Sequence, residues 1–303
     1  MWERIWGDGM ENKYSAVALG IFDGVHLGHR AVIDAALKQR ENGLRAAVFT
    51  FDPECVLRKT GGSAGFIYTK VGKDMLLSEQ IGVDDVISPP FESLCGLSGE
   101  EFADEILCRR MGAAHVCCGS NFRFGKNAAC GIGELAELGK SFGFEVEVVG
   151  SVEMGGSPVS SSRIRELLLA GNITDANELL GSDYFIKAEV AHGNHIGSTI
   201  DFPTINQSFE KGQLVPAYGV YASYTCVQGK MYPSVTNIGV KPTIEGQRRP
   251  LAETHIIGYN GDLYGTNTVV LLHGFIRSET KFGSLDELKK QIGADIGSAL
   301  NIL

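Results

Sequence analysis

From residue 15 to about residue 180 the chain alternates short apolar runs with helically spaced apolar residues, and from about Tyr184 that alternation stops. Strands that alternate with helices are joined by crossovers and lie parallel, so the first part is expected to form an α/β domain around a doubly wound sheet. Ser15 to Leu19, Arg45 to Phe51, Val83 to Ile87, His115 to Cys118 and Glu145 to Val149 read as its strands. His29 to Asn42 with a stop at Gly43, Lys70 to Gln80, Ser98 to Met111 and Ile132 to Phe142 read as its helices, and Ser98 with Glu101 has capping-box spacing. Ligands of such sheets gather at the carboxyl ends of the strands, which points to the loops after Leu19, Phe51 and Cys118.

Beyond Tyr184 the runs are short, rich in Val, Ile, Tyr and Thr, and separated by Gly, Pro and Asn: Phe185 to Val190, Val220 to Val227, Met231 to Val235, Glu253 to Ile257 and Thr268 to Leu272. That texture predicts an all-β domain, a barrel, with a terminal helix opened by Ser284 and Glu287. The boundary is expected near Gly181 to Asp183, giving domains 1–182 and 183–303.

A net charge of −9 argues against a general nucleic-acid binder, so any phosphate must be held by a local site. No apolar run approaches the length of a membrane span, and the polar stretch from Met1 to Tyr14 is unlike a signal peptide. Seven cysteines, an odd count with Cys117 and Cys118 adjacent on a strand, imply free thiols in a reducing cytoplasm; without a C-x-x-C pair no zinc site is expected.

The densest chemistry lies in Gly20-Ile21-Phe22-Asp23-Gly24-Val25-His26-Leu27-Gly28-His29, where a strand hands over to a helix. Helix starts favour phosphate oxygens, glycines permit close backbone approach, and His26 and His29, three apart, can both face one phosphate. A metal half-site or ordinary capping remain rival readings of two such histidines. Neither G-x-x-x-x-G-K-[ST] nor a G-x-G-x-x-G after a strand occurs. Gly119-Ser120-Asn121-Phe122-Arg123-Phe124-Gly125-Lys126 should reach the same sheet edge, with Asn121 suited to a base or flavin edge, Arg123 and Lys126 to phosphates, and the two phenylalanines to anchoring in the core. Ser160 to Arg165 opens a further helix, with hydroxyls at its start and arginine one turn in, a second phosphate clamp or a plain N-cap.

These three elements together resemble the adenylyltransferase half of the bacterial bifunctional riboflavin kinase/FAD synthetase family, whose pattern runs G-x-F-D-G-x-H-x-G-H, G-x-[DN]-F-x-F-G, then [IV]-S-S-[ST]-x-x-R. The resemblance implies a Rossmann-like nucleotidyltransferase domain in which His26 and His29 hold the ATP phosphates within the loop of Gly20, Phe22, Asp23, Gly24 and Gly28. It also implies that Asn121 and Arg123 face flavin or nucleotide, and that Ser161, Ser162 and Arg165 close on the triphosphate. The FMN phosphate would attack the α-phosphorus of ATP and release pyrophosphate, with Mg²⁺ offsetting charge. Asp52-Pro53-Glu54-Cys55 departs from the family, which has a histidine and a second proline after Asp-Pro.

The β-rich half extends the resemblance to a riboflavin kinase-like barrel. Phe202-Pro203-Thr204-Ile205-Asn206 is similar to F-P-T-A-N, and Asn237-Ile238-Gly239 with Pro242-Thr243 to N-I-G-x-x-P-T; Ala252 to Ile256, Asp262 to Gly265, Ile276-Arg277 and Lys281-Phe282 match further blocks. Thr204 and Asn206 offer oxygen donors to Mg²⁺ carrying ATP, and Glu253 can take the proton of the ribityl hydroxyl. Taken singly, Pro203 to Asn206 also fits a turn and Glu253 an exposed strand carboxylate. Gly193, Gly197 and Arg277 are the remaining nucleotide or flavin contacts implied. Ser198 stands where the family has arginine and Asp201 where it has glycine, and Leu180 to Asp183 lacks the usual basic residue. The implied function is phosphorylation of riboflavin to FMN and adenylylation of FMN to FAD, with ATP, riboflavin and FMN as small-molecule partners and the oligomeric state left open. The alternatives are adenylyl transfer with an impaired kinase, or a flavin-binding regulator.

Overall fold

A computed structural model describes residues 14–59, 65–191, 202–242 and 248–303. Gly193, Gly197, Ser198, Asp201 and Thr243 lie outside these described residues. The chain forms two compact units, Met1–Phe66 with Lys70–Ser160, and Ile67–Thr69 with Ser161–Leu303.

In the first unit β1 (Ser15–Leu19), β2 (Arg45–Phe49), β3 (Asp85–Ile87), β4 (Ala113–Gly119) and β5 (Glu145–Val149) pair in parallel in the order β3-β2-β1-β4-β5. All five residues of β1 are buried, as its central place demands, and the edge strand β5 is largely exposed. The order reverses direction between β1 and β4, so the loops after these two strands open side by side, with Leu19 paired to Cys118. Val17, Leu19, Phe49, Val116 and Cys118 of the sheet form one core with Phe102, Ile106, Leu107 and Leu135 from the helical segments.

Helix α1 (Leu27–Lys38) begins two residues before its predicted start because His26 caps it, and the following 3₁₀ turn ends at Gly43, whose φ of 79° is left-handed. α2 (Cys55–Lys59) follows β2, and α5 (Ile132–Phe142) has its predicted bounds. α3 (Lys70–Met75) and α4 (Gly99–Glu101) are shorter than predicted, since the chain continues in wider i→i+5 turns over Leu76–Ile81 and Phe102–Arg110. The capping box forms: Ser98 Oγ accepts from Glu101 N at 3.1 Å, and Glu101 Oε2 from Ser98 N at 2.7 Å. A small hairpin, β6 (Glu153–Met154) with β7 (Ser157–Pro158), follows β5.

In the second unit α6 (Ser161–Ala170) and α7 (Ile173–Leu180) precede β8 (Tyr184–Glu189), β9 (Ile205–Ser208), β10 (Gly219–Val227), β11 (Lys230–Pro242), β12 (Arg248–Ile256) and β13 (Asn267–Arg277). The six strands are antiparallel in the order β8-β13-β10-β11-β12-β9, and a bridge from Ala191 to Asn206 nearly closes the barrel. One sheet face carries buried hydroxyls bonded across strands, Ser223 to Thr236 at 2.8 Å, Thr236 to Thr254 at 2.9 Å and Thr225 to Ser234 at 2.7 Å. α8 (Leu285–Ile302), capped by Ser284, packs on the other face, where Ala299 meets Val220, Ala222 and Val235.

By compactness the chain divides at Ser160/Ser161, ahead of the expected 182/183. The cause is α7: Asn177 donates to Leu272 O at 2.9 Å and accepts from Tyr184 N at 2.7 Å, tying this helix to β13 and β8, while α6 packs on α7. The sequence pattern predicts a helix opening at Ser160 to Arg165, does not mark α7, and carries no sign of which sheet either covers.

Candidate active sites

Three left-handed residues in a row of four bend the loop after β1: Phe22 at φ 49°, Gly24 at 84° and Val25 at 43°. Such angles cost energy in Phe and Val and persist only where surroundings enforce them; here both side chains are fully enclosed, Phe22 1% and Val25 0% exposed. Phe22 folds over Gly20, where a Cβ would meet its ring at 2.8 Å, so glycine is required there. The turn delivers His26 to the start of α1, where its Nδ1 accepts from His29 N at 3.3 Å. That bond fixes the tautomer of the neutral ring and leaves Nε2–H as its donor. The His29 ring stacks on His26 with centroids 3.6 Å apart, and Phe22 meets His29 edge-on at 5.3 Å. The metal half-site and capping readings are thus partly answered: His26 is a cap, and the pair is stacked face to face.

A Cβ on Gly28 would approach His26 Cε1 at 3.2 Å and Val159 O at 3.7 Å. Gly28→Ala is therefore expected to tilt the His26 ring with little loss of thermal stability, since alanine favours the helix by about 1 kcal/mol; melting curves and the ring resonances of His26 check this.

Beside this loop, in the loop after β4, Phe122 N bonds Gly119 O at 3.0 Å and the Asn121 amide lies against Gly119. Phe124 is buried and Phe122 packs on the same core, as predicted. The exposed Arg123 donates to Ala128 O at 3.0 Å and Ala129 O at 3.2 Å, so two of its guanidinium nitrogens brace its own loop. Ser161, Ser162 and the buried Arg165 form the first turns of α6, in the second unit.

Sequence reasoning missed Lys73. Its side chain is buried at the carboxyl ends of β1 and β2, where Nζ donates to Phe51 O at 2.5 Å, Thr50 Oγ1 at 3.1 Å and Ile21 O at 3.4 Å, and Thr50 Oγ1 itself donates to Ile21 O at 2.7 Å. Burial lowers the ammonium from 10.5 to about 8, against the opposing fields of Cys55, Asp23 and Asp74. That fall is a cost of about 3 kcal/mol for keeping the charge inside. The available signal was a lysine on the apolar face of its helix, beside Met75, Leu76 and Leu77, where no cation belongs unless it has partners.

In the barrel one transverse row gathers residues far apart in sequence. Asn206 on β9 pairs with Glu253 on β12, Glu253 with Asn237 on β11, Asn237 with Val220 on β10, and Val220 with Arg277 on β13. Directly paired residues share a face, so Asn206, Glu253 and Asn237 stand side by side on the face opposite the buried hydroxyls. Asn206 is 5% exposed and Glu253 half-buried. Two residues along β12, His255 Nδ1 donates to Pro203 O at 2.9 Å and its ring meets Phe202 at 5.4 Å, which anchors the segment carrying Thr204. The turn reading of Pro203 to Asn206 fails at its end, since Ile205 and Asn206 are strand. Arg277 lies at the far end of the row, in a two-pronged pair with Asp295 of α8, Nη2 to Oδ2 at 2.7 Å and Nε to Oδ1 at 2.9 Å. This pair secures the helix to β13.

A parallel sheet with a histidine-bearing turn at its switch point is followed by a six-stranded barrel in which a carboxylate is flanked by two amides, an arrangement that fits the class of enzymes that transfer phosphorus-centred groups. A family model described as FAD synthetase matches residues 9–163, and one described as riboflavin kinase matches residues 180–303. The chain is 34% identical to the bifunctional riboflavin kinase/FMN adenylyltransferase of Pseudomonas fluorescens, over 95% of this chain and 93% of that protein. The namesake from Bacillus subtilis is 36% identical, over 96% and 93%. A solved structure, described as a macrolide-efflux protein from Streptococcus pneumoniae, shares 29% identity with a TM-score of 0.82, covering 97% of this chain and 96% of that one. Among the described residues no helix is long and apolar enough to cross a membrane. The chain belongs to the bifunctional riboflavin kinase/FMN adenylyltransferase family: it phosphorylates riboflavin to FMN and adenylylates FMN to FAD.

Proposed function

We propose that the crevice between the carboxyl ends of β1 and β4 is the adenylyl-transfer site. His26 and His29 hold the phosphates of ATP there, and Asn121 meets a flavin or nucleotide edge. An oxygen of the FMN phosphate attacks the α-phosphorus, the bond to the β-phosphate breaks, and pyrophosphate leaves. The histidines act by offering N–H groups to oxygens that gain charge in the transition state, with no covalent intermediate. The observation that carries this reading is the stacked, capped histidine pair on a strained turn at the switch point.

Riboflavin phosphorylation is assigned to the row on β9, β12 and β11. Glu253 takes the proton of the ribityl hydroxyl as its oxygen attacks the γ-phosphorus of ATP and ADP departs. Thr204 hydroxyl and Asn206 amide oxygen are the hard donors that Mg²⁺ accepts, and the near-complete burial of Asn206 suits a fixed ligand. When bound, Mg²⁺ neutralises phosphate charge. The functional domains are taken as 1–182 and 183–303. Seven free cysteines support work in the reducing cytoplasm.

The test is to incubate pure protein with ATP and Mg²⁺ and either riboflavin or FMN, and to resolve the flavins by chromatography. FAD from both starting points is expected. FAD from FMN alone would mean that the barrel is not a working kinase, and no product from either would sink both assignments.

A further inference from the structure

We propose that Lys73 is a positioning residue of the adenylyl-transfer site, whose buried ammonium bolts the turn that presents His26 and His29 to the loop after β2. The inference rests on the assignment of that site to the β1/β4 crevice. Lys73 Nζ spans two separate loops, reaching Ile21 O one residue before the left-handed Phe22, and Thr50 Oγ1 and Phe51 O where β2 ends. The Thr50 hydroxyl closes the triangle by donating to Ile21 O. Phe22 in turn leans on His29 and on Gly20. A displacement of Ile21 therefore passes directly to the turn that seats the histidine pair.

The number of donors matters. An ammonium has three N–H groups for three oxygen acceptors, whereas a neutral amine has two and drops one of the three links between the loops. A methionine of similar length would fill the space without the charge, so burial alone does not explain a lysine here. The charged groups that act on Lys73 are Asp23 in the histidine turn, Cys55 on α2, and Asp74 and Lys70 on α3 itself; the acids and the thiol favour the ammonium, and Lys70 and burial oppose it. Burial dominates and brings the group to about 8. Because the value is lowered, the bolt is complete below pH 8 and loses a bond as pH rises through that value.

Three measurements on the full chain test this. In wild type, the rate constant for FMN adenylylation should fall above pH 8, and the ring ¹³Cε1 resonances of His26 and His29 should shift with the same midpoint. Lys73→Met should lower that rate constant about 100-fold with a smaller change in KM for ATP, abolish the alkaline step in the histidine resonances, and leave riboflavin phosphorylation in place. Thr50→Val, a milder cut at the same junction, should lower it about tenfold and serves if Lys73→Met does not fold. Histidine resonances and FAD formation that stay flat from pH 7 to 9.5, or variants within twofold of wild type, would overturn the proposal. So would a Lys73→Met chain that folds and loses both activities equally. If wild type makes no FAD from FMN, the site assignment fails, and the histidine resonances still judge Lys73 by themselves.

Discussion

His29→Ala should reduce conversion of FMN to FAD by about 10² to 10³-fold, the range seen when a donor to developing negative charge is removed, and leave conversion of riboflavin to FMN intact. His29 is the cleaner member of the pair to remove. His26 is also the N-cap of α1, so its loss adds about 1 kcal/mol of helix destabilisation and mixes two effects. His29 takes part in the cap only through its backbone N–H, which alanine keeps. The stacked partner ring and the edge-on contact with Phe22 are lost, and both are local to the turn. Quantified flavins from the same preparation, with riboflavin and FMN as separate substrates, check the result. Loss of both activities would refute the assignment of each reaction to its own set of residues.

Glu253→Gln should give the mirror image, a fall in riboflavin phosphorylation of about 10² to 10⁴-fold, the usual contribution of a positioned general base, with FMN adenylylation retained. Glutamine keeps the shape and the place beside Asn206 and Asn237 but cannot take the proton. The threonine and serine ladder on the other face of the sheet is untouched, so the barrel should melt close to wild type. Rates at several riboflavin concentrations should show the loss in kcat rather than KM. An unchanged kcat would remove Glu253 from the chemistry and leave it a strand carboxylate.

Much of this arrangement is legible in residue patterns. The buried run Ser15 to Leu19, the capping box at Ser98 and the helix from Ile132 to Phe142 are local, and local propensity and spacing determine them. Strand ends are less so. β11 runs on through Asn237 and Gly239 to Pro242, and β13 to Arg277, because pairing with neighbours extends strands past the stretch whose composition announces them. Arg123 and Arg277 show the opposite limit. Each stands in a family block, yet one bonds carbonyls of its own loop and the other an aspartate of α8. Residue type says that a guanidinium seeks oxygens and does not say whose.

By itself the sequence determined the two kinds of domain, the order of the motifs, and which imidazoles, amides and carboxylates were available, since these follow from periodicity and side-chain chemistry along the chain. Only the tertiary structure decided that Asn206, Glu253 and Asn237 form one row, that α6 and α7 join the barrel's unit, and that Lys73 is buried among Ile21, Thr50 and Phe51. The physical reason is common to all three. Register, helix docking and the burial of a charge depend on partners distant in the chain, and the free energy of each is settled only when those partners meet.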